Sequence, residues 1–144
     1  MKHIFLIIAL LSFGITNEAM ASCNHSNVVD QVSSFLRGKT VCATRGGEKW
    51  QEFHKGPRGV PDNLIDYKKG PSDPVDPSEP VGSWTADGNG HVIYDYGTGG
   101  TYKFSIHHSD TVPGAYDFCT TRSHRGATPE VAGAILLQGQ VACP

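Results

Sequence analysis

The sequence predicts a mainly β fold: an antiparallel meander of about seven or eight strands, forming a small barrel or a strongly curled sheet, with one N-terminal amphipathic helix and two disulfides. Three observations favour it. Short segments of alternating polarity are separated by turn clusters, 17 Gly and 9 Pro accompany only 18% charged residues, and there are four cysteines. The 144 residues are enough for one domain with a buried core.

The N-terminus has the pattern of a secretory signal peptide. Lys2 and His3 precede an apolar run over residues 4–15, and the sequence Ala19-Met20-Ala21 places small residues where a signal peptidase requires them. The run is shorter than the ~20 residues that span a bilayer. We therefore expect residues 1–21 to be removed near Ala21, leaving 22–144 as a single β-rich domain that is secreted or periplasmic and not stably inserted in a membrane.

The four cysteines have two interpretations. The sequence around Cys23 partly matches a lipobox, but acylation of Cys23 would leave an odd number of thiols. Two disulfides account for all four in an oxidising compartment. If successive strands alternate in direction, Cys42 at the start of the first and Cys143 at the end of the eighth lie at the same end, so we expect Cys42–Cys143 and Cys23–Cys119 bonds.

Residues 27–37 are predicted to form the amphipathic helix. Ser26 or Asn27 is placed to cap its start, and Gly38 is placed to end it. The apolar residues on one face are Val28, Val32, Phe35 and Leu36. The helix is expected to pack against the sheet.

A proline at every third position marks residues 71–80 and predicts a polyproline II strap. Asp73, Asp76 and Glu79 form an acidic stripe at ~9 Å spacing, too far apart to converge on one ion. The strap is interpreted as a rigid connection across an open end of the sheet, with a ligand for a partner's aromatic groove as the alternative.

Strands are predicted over eight segments: 40–44, 49–54, 63–68, 82–86, 91–96, 101–108, 115–121 and 135–143. The last segment is ambiguous. Thr128-Pro129-Glu130 is a good helix start, but Gly133 and Gly139 interrupt a long helix, so a single turn followed by a strand is favoured.

The central hairpin has a register that matches apolar residues across the strands. The expected pairs are Val92–Ile106, Tyr94–Phe104 and Tyr96–Tyr102 on one face, and Asp95–Lys103 and His91–His107 on the other. A three-residue loop over 87–89 would place Trp84 beside Val92. The Gly82-Ser83-Trp84 start of a strand, with the run of hairpins after it, is similar to lipocalin-like and avidin-like barrels.

The apolar face of these hairpins is the candidate ligand-binding site. One interpretation is that these residues simply form the hydrophobic core. The other is that some of them line a cavity, because an eight-stranded barrel is wide enough to hold one small molecule. Tyrosine hydroxyls suit an apolar pocket with a few polar groups. The candidate ligand-binding residues are Trp84, Tyr94, Tyr96, Tyr102 and Phe104.

His91 and His107 are the candidate metal pair on the opposite face. Two imidazoles on neighbouring strands can share Zn²⁺ or Cu²⁺, but a third ligand is needed and the nearest carboxylate, Asp95, is matched to Lys103. Solvated surface histidines are the alternative. The same face also carries hydroxyl groups, an imidazole and a carboxylate, the residue types of a catalytic triad, but no turn or helix start offers an oxyanion hole there. These residues are Ser83, Thr85, Ser105, His91 and Asp95.

The formal charge of −2 gives no electrostatic footprint for nucleic acid. With no convincing reactive cluster and no cofactor motif, the sequence predicts an exported module that binds a small or partly apolar ligand or an exported protein partner. A metal-dependent hydrolase centred on His91 and His107 is one alternative. An inhibitor of an extracellular enzyme, acting through the loop at 71–80 or 122–125, is the other.

Overall fold

Eight antiparallel strands form a closed barrel in which each strand pairs with the next and the eighth pairs with the first. A computed structural model describes residues 23, 25–56, 62–66, 79–120 and 128–144. The strands are β1 Lys39–Arg45, β2 Glu48–His54, β3 Asp62–Asp66, β4 Glu79–Ala86, β5 His91–Asp95, β6 Thr101–His108, β7 Tyr116–Thr120 and β8 Val131–Gln138. The predicted antiparallel barrel is confirmed. The ambiguous C-terminal segment contains a strand, as favoured, but the strand covers 131–138 in place of 135–143, and residues 128–130, the expected start of a helical turn, are not helical.

Because the strands alternate in direction, their connections alternate between two ends of the barrel. At the end where β1 begins lies the helix α1, Val32–Leu36, whose Val32 and Leu36 are buried in the core. We call this the helix end. The opposite end, which we call the mouth, carries the β1–β2 turn and the β5–β6 turn, the latter including the 3₁₀ helix Gly97–Gly99.

The predicted helix over 27–37 is wrong in extent, since α1 has only five residues. Before it, Val28 forms an antiparallel bridge with His107, and the Val29 N–H donates to the Ile106 carbonyl at 2.8 Å. These bonds hold the chain against the edge of β6 beyond the end of β5, so the backbone there cannot be helical. Asn27 therefore bonds to β6 and does not cap the helix: its amide donates to the His108 carbonyl at 3.0 Å.

The core is the inner face of the barrel, closed at one end by α1. Its buried members are Val29, Val32, Leu36, Val41, Leu64, Trp84, Val92, Tyr94, Phe104, Ile106, Phe118, Val131 and Ala134. The period-two alternation of β5 and β6 predicted which residues face inward, because Val92, Tyr94, Phe104 and Ile106 are all buried.

The central hairpin has the predicted faces but a register two residues away from the predicted one. Tyr94 lies opposite Tyr102, and His91 lies opposite Ser105. The turn is centred one residue earlier than expected, because the Tyr96 N–H donates to the Gly100 carbonyl at 3.0 Å across the 3₁₀ helix. A shift of two residues returns every side chain to the same face, so the inward set is unchanged.

The preceding hairpin shows a similar shift, with Trp84 opposite Tyr94 in place of Val92. Its loop is 88–90, because the Asp87 N–H donates to the His91 carbonyl at 2.9 Å. Gly90 has φ +82°, the left-handed residue that closes a three-residue hairpin loop.

Both expected disulfides are confirmed: Cys23–Cys119 and Cys42–Cys143. Cys143, however, does not end β8. The chain turns after Gln138 and returns along the outside of β1 and β2, where Gln51 Oε1 accepts from the Cys143 N–H at 3.1 Å. The bond thus attaches a C-terminal tail to the barrel wall.

Three predicted features lie outside the described residues: the signal peptide over 1–21, the strap over 71–80 except Glu79 and Pro80, and the loop over 122–125. Within the described ranges, no helix combines the length and hydropathy needed to cross a membrane.

A candidate ligand-binding site at the barrel mouth

A cavity of about 330 Å³ lies at the mouth of the barrel. Residues of the strands near the mouth and of the β5–β6 turn line it: Arg45, Lys49, Trp50, Glu52, Tyr96, Gly99, Tyr102, Phe104 and Val131. The volume is within the range of small-molecule pockets, and the lining combines aromatic rings with a few polar groups.

Glu52 is the acidic group of this cavity. It follows Trp50 by two residues in β2, so alternation directs both side chains inward, and Glu52 is only 5% exposed. The Tyr96 hydroxyl lies 2.8 Å from each carboxylate oxygen and donates to them. A carboxyl group this far from water needs hydrogen-bond partners, and the Tyr96 hydroxyl is one of them.

Tyr96 is seated against β4 at a glycine. A Cβ added to Gly82 would lie 3.2 Å from the Tyr96 ring and only 2.4 Å from the Asp95 carbonyl oxygen. No other residue fits there without displacement of the backbone. Gly82 therefore allows β4 and β5 to approach closely and leaves room for the ring that holds Glu52.

Aromatic side chains form much of the wall. The rings of Tyr96 and Tyr102 meet edge to face with centroids 5.9 Å apart. Trp50 packs edge to face on Tyr94 at 5.7 Å and on Phe118 at 5.1 Å, which fixes its position from below. Such contacts hold the wall in one arrangement before any ligand arrives.

Beneath the cavity, His54 and Tyr94 form a fully buried polar pair with His54 Nε2 and the Tyr94 hydroxyl 2.8 Å apart. His54 Nδ1 lies 3.2 Å from the Glu52 carbonyl, which can only accept, so Nδ1 carries the proton and Tyr94 donates to Nε2. Burial lowers the pKa of His54 to about 4. Burial, with the nearby charge of Glu52, raises the pKa of Tyr94 well above its usual value, so both groups are neutral at pH 7.

The two basic residues at the rim already have partners. Arg45 forms a salt bridge with Glu130, and Lys49 Nζ donates to Pro144 O at 3.3 Å. Both lie at the solvent-exposed edge of the cavity, whereas Glu52 lies deep within it.

Of the five residues proposed from the sequence, the structure brings Tyr96, Tyr102 and Phe104 to the cavity lining. Trp84 and Tyr94 are buried in the core instead. Whether any of them binds a ligand stays a prediction.

Sequence reasoning missed Trp50, Glu52, Arg45 and Lys49. The signal for the first two was present: the alternation of residues 49–54 puts Glu52 between Trp50 and His54 on one face. Because Glu52 shares a strand face with Trp50 and His54, and that face packs inward, the pattern indicates a polar group on the inner wall.

The candidate metal pair is not placed as expected. His91 Nδ1 lies 3.0 Å from Asp87, whose carboxylate also accepts from Lys103 at 2.7 Å, so the expected Asp95–Lys103 pair is wrong. Desolvation alone would raise the pKa of Asp87, but hydrogen bonds from Lys103 and from two backbone N–H groups hold it well below its usual range. In the part of the chain that the structure describes, no three His, Cys, Asp or Glu side chains are grouped to hold a metal ion. A metal role for His91 and His107 stays a prediction.

His107 instead belongs to a chain of hydrogen bonds on the outer wall. Its Nε2 lies 2.9 Å from the Ser105 hydroxyl, and its Nδ1 lies 2.9 Å from the Asn27 side-chain oxygen. Asn27 also bonds to the next turn, since its amide contacts Asp110 at 3.1 Å. His107 is 5% exposed under the N-terminal segment, so this chain fastens that segment to the barrel.

Comparison of this chain with protein-family models, with curated proteins and with solved structures finds no match.

Proposed function

We propose that this chain is an exported β-barrel module that binds a small, partly apolar ligand in the cavity at its mouth. The observation that carries the proposal is the cavity itself: about 330 Å³, walled by aromatic rings, with a buried carboxylate in its lining. Pockets of this composition are typical of small-molecule sites.

The contrast between the two ends of the barrel supports this assignment. An eight-stranded barrel either fills its interior with side chains or holds one small ligand. At the helix end, Val32 and Leu36 fill the interior. At the mouth, Glu52 and Tyr96 occupy positions where apolar side chains would stabilise the barrel more, because a buried carboxylate is costly to desolvate. Their presence is explained if they contact a ligand.

Export rests on the two disulfides, which are typical of chains that fold in the periplasm or outside the cell. The predicted signal peptide agrees with that compartment. We therefore expect the ligand to be a molecule that is present in that compartment.

Titration with a neutral fluorescent apolar probe, N-phenyl-1-naphthylamine, tests the proposal. Saturable binding to one site is expected, with energy transfer from Trp50 at the cavity wall. Tyr102→Ala opens the wall and is expected to weaken binding at least about tenfold, since it removes an aromatic contact of 1 to 2 kcal/mol or more.

Tyr116→Ala is the matched control, because Tyr116 is half-buried at the helix end, packed on Phe35 at 4.8 Å. It should leave probe affinity unchanged in the folded protein. Absence of saturable binding, or an equal loss in both variants, would contradict a ligand site at the mouth.

A further inference from the structure

We infer that Ser105 is a nucleophile that accepts an acyl group from small activated esters, with His107 as its general base and Asn27 as the residue that orients the base. These three residues meet on the outer wall of the barrel, and the cavity at the mouth takes no part. The Ser105 hydroxyl, the His107 ring and the Asn27 amide form one hydrogen-bonded series, with contacts of 2.9 Å on each side of the ring. A hydroxyl, a base and a group that orients the base, each within hydrogen-bond distance of the next, is the arrangement that activates a serine.

Strand β6 and the N-terminal segment bring the three residues together. Ser105 and His107 are two residues apart in β6, so alternation puts both on one face, and Ile106 between them is fully buried on the other. Asn27 reaches His107 because the next residue, Val28, forms an antiparallel bridge with it. The series is therefore complete only when the N-terminal segment is docked on β6.

The contacts of Asn27 determine which nitrogen of His107 carries the proton. The Asn27 amide nitrogen donates to the His108 carbonyl at 3.0 Å and to Asp110 Oδ1 at 3.1 Å, so the amide oxygen is the atom that faces the ring. An amide oxygen can only accept, so His107 Nδ1 donates to it. In the neutral ring, Nε2 then carries a lone pair and accepts from the Ser105 hydroxyl. This is the tautomer that a general base for serine requires.

The burial of the two side chains suits their roles. His107 is only 5% exposed, so water competes little for its ring nitrogens, whereas Ser105 is half-buried and remains accessible in part. The Ser105 hydroxyl also lies 3.4 Å from the Cys119 carbonyl, a longer contact than the one to His107. The hydroxyl is thus held beside the base on a face that an ester can approach.

The surroundings of Ser105 limit the substrate to small esters with a good leaving group. Strand β6 pairs with β5 on one side and with β7 on the other, so the backbone beside Ser105 is engaged in the sheet and offers no oxyanion hole. An aryl ester depends less on such a hole than an alkyl ester or an amide does, because a phenolate leaves readily. Cys119 lies opposite Ser105 and is bonded to Cys23, so this disulfide restricts the acyl group to a small one such as acetyl.

The reaction is a transfer of the acyl group from the aryl ester to the serine oxygen. The Ser105 oxygen forms a bond with the carbonyl carbon while the hydroxyl proton passes to His107 Nε2. The bond between that carbon and the aryl oxygen then breaks, and the proton on His107 leaves with the phenol. The products are an O-acylserine at Ser105 and one molecule of phenol.

Reaction of the intact oxidised protein with 4-nitrophenyl acetate at pH 7.5 tests the inference. Absorbance of the released nitrophenol gives the rate, and mass spectrometry of proteolytic peptides locates the acetyl group. We expect one acetyl group on Ser105 and a fast phase of release that Ser105→Ala abolishes. His107→Gln is expected to slow acetylation of Ser105 by at least about a hundredfold, the lower end of what a general base contributes.

Ser83→Ala is the matched control. Ser83 is also a half-buried serine on a strand, β4, and its contacts in the part of the chain that the structure describes include no imidazole. The substitution should leave the fast phase and the acetylation of Ser105 unchanged. In the parent protein, Ser105 should be acetylated at least about a hundredfold faster than Ser83.

A structural role for the series and a nucleophilic role give different results. Acetyl groups confined to lysine or tyrosine side chains, or equal rates at Ser105 and Ser83, would overturn the inference. An undiminished rate at Ser105 in His107→Gln would also overturn it, because the hydroxyl would then react without its base. The comparison of the two serines in the parent protein decides the matter even where His107→Gln does not fold.

Discussion

The buried histidine beneath the cavity makes the stability of the fold depend on pH below neutrality. His54 is fully buried and hydrogen-bonded to Tyr94, and burial lowers its pKa from an ordinary 6.5 to about 4. The folded state therefore keeps His54 neutral at pH values where the unfolded chain takes up a proton. Because the unfolded state then binds more protons, the free energy of unfolding falls as pH drops from 6.5 towards 4.

The size of the effect follows from the shift. A difference of roughly 2.5 pH units, at about 1.4 kcal/mol per unit, gives a loss of about 3 kcal/mol, most of it by pH 4.5. Typical domains have a free energy of unfolding of only about 5 to 15 kcal/mol. Protonation of His54 on unfolding therefore removes a substantial fraction of that free energy at low pH. Replacing it with a side chain that does not titrate should remove that part of the pH dependence.

Urea denaturation followed by tryptophan fluorescence at several values between pH 7 and pH 4.5 measures this dependence. His54→Gln retains a donor and an acceptor, loses some stability at pH 7, and should lose about 2 to 3 kcal/mol less than the parent on acidification. His108→Gln, the same change at an exposed site on β6, should keep the dependence of the parent. If His54→Gln and the parent lose equal stability between pH 7 and pH 4.5, His54 does not stay neutral in the folded state.

Three further expectations come from the packing, the cross-links and the buried phenol. Gly82→Ala should lower the free energy of unfolding, measured by urea denaturation, by about 1 to 3 kcal/mol, since its Cβ would lie 2.4 Å from a backbone oxygen of β5. Gly88→Ala is the control and should change that free energy by less than about 0.5 kcal/mol, because nothing lies within 4 Å of the added Cβ. Equal effects of the two substitutions would contradict the packing argument. Replacing Cys42 and Cys143 together by serine removes a disulfide between residues 101 apart and should lower the free energy of unfolding by about 2 to 5 kcal/mol. A decrease below about 1 kcal/mol would show that attachment of the C-terminal tail adds little to stability. Because burial raises the pKa of Tyr94 well above its usual value, Tyr94 should stay un-ionised in the folded protein where exposed tyrosines titrate. Tyr94→Phe should therefore leave the native absorbance titration at 295 nm unchanged, and a missing tyrosinate in the variant would refute the buried, hydrogen-bonded state of Tyr94.

The sequence predicted which side chains of the barrel face inward, because an error of two residues in strand pairing does not change the face on which a side chain lies. The predicted register placed Tyr94 opposite Phe104, whereas Tyr94 lies opposite Tyr102, yet the difference of two residues keeps both rings inward. The error arose in the turn, where a bond from the Tyr96 N–H to the Gly100 carbonyl closes the 3₁₀ helix Gly97–Gly99 and centres the turn one residue before the expected position. The position of a glycine-rich turn depends on its hydrogen bonds, which residue types alone do not determine.

The helix error has a different cause. Residues 27–37 have helical apolar spacing, but the backbone of Val28 and Val29 forms bonds with β6 beyond the end of β5. An unpaired strand edge competes with helix formation, and the edge exists only once β5 and β6 have paired. Local spacing cannot report such a competition, because it depends on a strand some 80 residues away.

The mouth site was only partly predictable, since a cavity is a property of the closed barrel. The aromatic pattern of β5 and β6 indicated Tyr96, Tyr102 and Phe104, but Trp50 and Glu52 come from β2. They meet the other three because β8 pairs with β1 and closes the circle. Only with closure does a carboxylate on one side of the sheet face rings on the other.

The position of the two disulfides explains how the barrel tolerates a polar mouth. Neither bond crosses the interior: Cys23–Cys119 attaches the N-terminal segment to β7, and Cys42–Cys143 attaches the C-terminal tail to β1, both on the outer wall. With the hydrogen bonds of Asn27 to His107 and of Gln51 to the Cys143 N–H, these segments cover part of the outside of the sheet. Stability is thereby supplied from the outer wall and the helix end. The inner wall at the mouth then need not be packed with apolar side chains throughout, and it carries Glu52 together with the rings that line the cavity.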